Sequence, residues 1–145
     1  RGNPGRLMVR GTESGVIRGW AALDLVLSAL FAVPILAPLL LGLLYALNGR
    51  LGGVSTAPPF EPVHWLFVCL MGALGVVWAV ARLVEPVRRL GLIDAVARLW
   101  VSALIAYFVF PRGAPTVLVL FLATELGGAL HQLWLLRRPA RNARW

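Results

Sequence analysis

Apolar positions in this chain do not alternate with polar ones; they run together in four long blocks, at 20–47, 63–84, 92–110 and 116–136. Each block approaches or exceeds the roughly 20 residues that an α-helix needs to cross about 30 Å of hydrocarbon. The blocks are continuous and rich in Leu and Ala, unlike the ~10-residue alternating segments of a membrane barrel, so they predict four transmembrane helices. Pro34 and Pro38 fall inside the first block. Each removes a backbone donor and crowds the carbonyl four residues earlier, so that helix is expected to tilt or kink. The stretch "NGRLGGVSTAPPFEPVHW" (48–65) is full of turn formers and predicts one sizeable external loop. "PRGAP" (111–115), by contrast, is short enough to force spans three and four into antiparallel contact.

Composition points the same way. Of 145 residues, 59% are hydrophobic and only 14% charged, against roughly 25% charged in soluble domains. The N-terminal stretch 1–17 is polar and glycine-rich, and the first apolar block is far longer than the core of a signal peptide. We therefore expect a flexible basic tail at 1–17, a four-helix transmembrane domain at 18–138 and a basic tail at 139–145. The chain starts at Arg1 rather than Met, which leaves the completeness of that first tail open.

A net charge of +8 raises the question of nucleic acid, and the placement of the charges answers it. All 14 basic residues are arginine. Arg1, Arg6, Arg10 and Arg18 precede the first span, Arg82, Arg88 and Arg89 flank the junction of spans two and three, and Arg137, Arg138, Arg141 and Arg144 follow the last. Only Arg50 and Arg112 fall on the other side, and Arg98 lies inside a span. By the positive-inside rule this bias puts both termini in the cytoplasm. Attraction to anionic lipid headgroups accounts for the basicity, and no nucleic-acid motif accompanies it. A lone Cys69 within span two reads as a small packing residue with no disulfide partner.

The blocks also resemble one another. "GALGVVWAVAR" (72–82) aligns without gaps to "GALHQLWLLRR" (128–138), sharing Gly, Ala, Leu, Trp and Arg. Arg18 and Arg88 each stand six residues before an acid, Asp24 and Asp94. The expected fold is therefore an all-α membrane protein of two parallel-repeat helical hairpins, related by an axis along the membrane normal.

The polar residues inside the blocks carry the candidate chemistry. Glu125, in "ATELGGALHQLW" (123–134), sits at the centre of span four, and Arg98 lies within about 4 Å of the same depth in span three at ~1.5 Å per residue. Unpaired charges at that depth cost several kcal/mol, so each is expected to face the bundle and find a partner. Glu125 with Arg98 is the first-choice ion pair. Asp94 stands one turn before Arg98 on the same face, and Ser102 continues the stripe. Glu125, Gly128 and Gln132 share a face of span four, with the glycine permitting close approach, as Gly72 and Gly75 do on span two.

His64 and His131 invite a haem reading, but they stand about 16 Å apart in depth and cannot clamp one group between them. A single axial imidazole from His131 is the residual form of that reading, against a histidine simply bonded to a neighbour. No metal-ligand cluster, no nucleophile beside a base and no phosphate loop is present, so the sequence names no catalytic residue, no metal site and no required cofactor.

The segment "EPVRRLGLID" (85–94), an acid followed by arginine and then Asp94 before "ARLW", together with the chain's size and its four spans, resembles the small bacterial membrane proteins of the DoxX-like and BphX-like group. That resemblance implies a bacterial inner-membrane location and an accessory or ligand-binding role within redox or catabolic systems. The leading expectation is a non-enzymatic inner-membrane protein that binds a hydrophobic small molecule or a membrane partner, with Asp24, Asp94, Arg98, Glu125, His131 and Gln132 as the buried network or site. The second is a small proton-coupled transporter using Glu125, as a homodimer or part of a larger membrane complex. The third is a membrane subunit carrying haem or quinone through His131.

Overall fold

The structure, a computed structural model, describes residues 11–136. Five helices are present among them: α1 (Gly11–Ala32), α2 (Leu36–Arg50), α3 (Pro62–Val84), α4 (Arg88–Val109) and α5 (Leu118–Leu136). Helices α1, α3, α4 and α5 are long and apolar enough to cross a membrane, whereas α2 falls short. The chain is thus an all-helical membrane protein. Leu70, Leu74, Val77, Trp100 and Phe108 turn outward, an apolar surface suited to lipid rather than water.

The first apolar block does not form one span. The helix breaks at residues 33–35, where Pro34 supplies no N–H, and the Val33 carbonyl is taken up by the amides of Leu36 and Ala37. Pro38 bends nothing, because it lies in the first turn of α2, where an amide would have no helical partner. At the other end, α1 begins at Gly11, inside the stretch expected to be a tail. Its buried side chains Glu13, Ile17 and Ala21 recur every fourth residue, a stripe too thin to stand out among glycines. The remaining tail expectations, at 1–10 and 137–145, lie outside the described residues.

Packing is pairwise: α1 lies mainly against α3, and α4 against α5, with lighter contacts from α1 to α4 and α5. Two glycines set the first pair. A Cβ on Gly72 would fall 2.6 Å from the Phe31 carbonyl carbon and 2.8 Å from the Ala32 Cα, so only glycine permits this backbone approach. Gly75, one turn on, leaves room for Ser28.

Side chains hold the helix ends. Asn48, buried at the end of α2, accepts from the Thr116 hydroxyl and the Val117 amide, both at 2.9 Å, and donates to the Val54 carbonyl at 2.9 Å. It ties the α2–α3 loop to the start of α5, and satisfies backbone groups that would otherwise be orphaned. The Glu61 amide donates to His64 Nδ1 at 3.0 Å, which commits His64 to the start of α3. At the opposite end, Arg88 donates to the Leu136 carbonyl and caps the C-terminus of α5.

Candidate functional site

Midway along the bundle, charged side chains from all four long helices converge. Asp94 of α4 is the hub. Its Oδ2 accepts from Arg82 Nη1 at 2.7 Å, Arg98 Nε at 2.9 Å and Gln132 Nε2 at 2.8 Å, and its Oδ1 accepts from Trp78 Nε1 at 2.8 Å. The i, i+4 spacing of one helix face supplies the Asp94–Arg98 pair directly. A carboxylate with four donors is well matched to an apolar interior, because an unmatched one would carry the full cost of its lost hydration.

The two guanidiniums bridge outward from this hub. Arg82 Nη2 donates to Asp24 Oδ2 at 2.6 Å, Arg98 Nη2 donates to the same oxygen, and Arg98 Nη1 reaches Glu125 Oε2 at 3.1 Å. Arg82 Nε returns to the Trp78 carbonyl one turn earlier, at 3.4 Å. Every guanidinium nitrogen therefore has an acceptor. Aromatic faces complete the shell: Arg82 stands 5.6 Å from the Trp78 ring and Arg98 5.2 Å from the Trp20 ring, both within reach of a cation–π contact. Gly128 makes the room, since a Cβ there would meet the Arg98 side chain and the Trp20 ring at 3.2–3.3 Å.

Among the described residues, three carboxylates and two guanidiniums make up this cluster, an excess of one negative charge when all are ionised. The acids differ in access. The Asp94 side chain is only 4% exposed, whereas those of Asp24 and Glu125 are 19% and 22% exposed. All three border a cavity of about 320 Å³ whose floor is this cluster and whose walls include Leu27, Phe31, Trp78, Val101 and Phe121. A second cavity of about 430 Å³ adjoins it through Ser28 and Phe31 and is walled by Phe67, Val68, Met71 and Gly72. Both lie within the size range of small-molecule sites.

Of the residues singled out from the sequence, Asp24, Asp94, Arg98, Glu125 and Gln132 meet here. His131 does not: it is exposed on α5 and joins the cluster only through Trp20, whose Nε1 donates to His131 Nδ1 at 3.4 Å. Arg82 and Trp78 were missed. The sequence places Arg82 on the polar flank between spans, yet it is 1% exposed and holds two of the three acids. Its position inside the block 63–84 was the available signal. Ser102, one turn beyond Arg98, is buried with no hydrogen-bond partner, and Gln132 leaves its carbonyl oxygen equally unpaired.

No protein-family model, characterised protein or solved structure matches this chain.

Proposed function

We propose that this chain is a multi-pass protein of the bacterial inner membrane that binds a hydrophobic small molecule in the cavity between its helix pairs, and that it is not itself an enzyme. One observation carries the reading. The charged cluster does not close on itself but floors a cavity with aromatic and aliphatic walls, the combination of apolar surface and few polar groups typical of ligand sites. Asp94, Arg98 and Arg82 set the helix packing, while Asp24 and Glu125 meet the ligand. Such an accessory role is also what the DoxX-like and BphX-like resemblance implies.

The same reading takes the molecule as a duplicated hairpin with both termini cytoplasmic. The pairing of α1 with α3 and of α4 with α5 supports the duplication. The arginine bias supports the orientation even with Arg82 removed from the flank, since it still strongly favours one side.

Native mass spectrometry of the detergent-purified protein, with absorption spectroscopy of the same sample, tests the proposal. The expected result is a retained species of defined mass that an Asp24→Asn or Phe121→Ala substitution sheds. A bare protein whose mass and stability do not change on adding a membrane lipid extract overturns it.

Proton-coupled transport is the second reading, favoured by the position of Glu125 on the cavity with a single hydrogen-bonded oxygen. Loss of proton-driven flux in Glu125→Gln vesicles, with the fold intact, identifies it.

A further inference from the structure

The cavity has a sign as well as a shape. Oδ1 of Asp24 and Oε1 of Glu125 accept no hydrogen bond among the described residues, although both side chains line the cavity. Arg82 and Arg98 also line the cavity, but each of their guanidinium nitrogens already donates, and their two charges face three carboxylates. An anionic ligand therefore meets a net negative cluster. A cationic one meets two carboxylate oxygens that accept no hydrogen bond, beside apolar walls that strengthen the attraction between opposite charges.

Resting on the ligand-binding reading above, the geometry points to an organic cation with apolar substituents, of quaternary ammonium or phosphonium type, as the occupant, its charge seated against Asp24 and Glu125. Two further observations converge on this class. The cluster's excess negative charge is neutralised by one monovalent cation. Phe31, Trp78 and Phe121 stand in the walls, and aromatic faces attract cations that lack hydrogen-bond donors. The adjoining apolar cavity then receives the hydrocarbon substituents.

An uncompensated negative charge is costly in hydrocarbon, and a bound cation removes that cost.

The test is equilibrium dialysis of the purified full chain, in neutral detergent, against radiolabelled tetraphenylphosphonium and tetraphenylborate, which match in shape and oppose in charge. Tetraphenylphosphonium is expected to bind saturably and at least about tenfold tighter than the borate. Glu125→Gln is expected to weaken it at least about tenfold. Should that variant fail to fold, the two ions still decide the matter on the unaltered protein. Equal binding of both ions, or preference for the borate, overturns the cation assignment and leaves the ligand-binding reading standing. Binding of neither ion overturns the assignment as well, and the retained-ligand mass then decides the broader reading by itself.

Discussion

Asp94 and Glu125 are both acids at membrane depth and both partners of Arg98, yet their surroundings differ in kind. Asp94 is enclosed and takes donors on both oxygens from four side chains on three helices. Glu125 takes one donor on one oxygen, and where both acids border the cavity its side chain is 22% exposed against 4% for Asp94. The comparison separates two uses of the same chemistry. A saturated carboxylate locks helices together, whereas an undersatisfied one beside open space is positioned to meet something that comes and goes.

Substitutions sharpen this contrast in a definite order. Asp94→Asn removes the carboxylate on which four donors converge and sets an amide NH2 among them, so stability is expected to fall by about 3–5 kcal/mol, read as thermal unfolding in detergent. Arg82→Met, close in length, leaves both of its acids with Arg98, and a loss near about 3 kcal/mol is expected in the same assay. Glu125→Gln should cost no more than about 1 kcal/mol, because Arg98 keeps Asp24 and Asp94. An equal loss for Asp94→Asn and Glu125→Gln would erase the distinction between the two acids. The smallest effect is expected at Ser102, whose buried hydroxyl has no partner. Ser102→Ala should leave stability unchanged or raise it by up to about 1 kcal/mol, and a marked loss would reveal an acceptor that the structure does not contain.

Much of this was legible in the chain itself. Helices α3, α4 and α5 follow their apolar blocks to within a few residues, since block length in hydrocarbon is dictated by bilayer thickness. The Asp94, Arg98 and Glu125 contacts could be anticipated because helical spacing and the short "PRGAP" link fix which faces meet. The α1–α3 side was less legible. Arg82 stands two residues from the end of its helix and reads as a flank, and only its length, bent back along the helix toward Asp94, brings its charge inside. The break at 33–35 was signalled by Pro34, but nothing in an unbroken apolar run distinguishes a kinked span from a span followed by a separate short helix. Asn48 was invisible for a different reason: its partners lie 68 and 69 residues away, in a loop whose position only the fold determines.

The separations within the charged cluster have a consequence for the order of synthesis. Asp24 lies 58 residues before Arg82 and 74 before Arg98. At translation speeds of about 5–20 residues per second, its first counter-charge leaves the ribosome roughly 3–12 s after it does. During that interval α1 carries its acid without either guanidinium, a costly state in hydrocarbon. The cluster therefore favours insertion of α1 together with α3, as a pair rather than helix by helix.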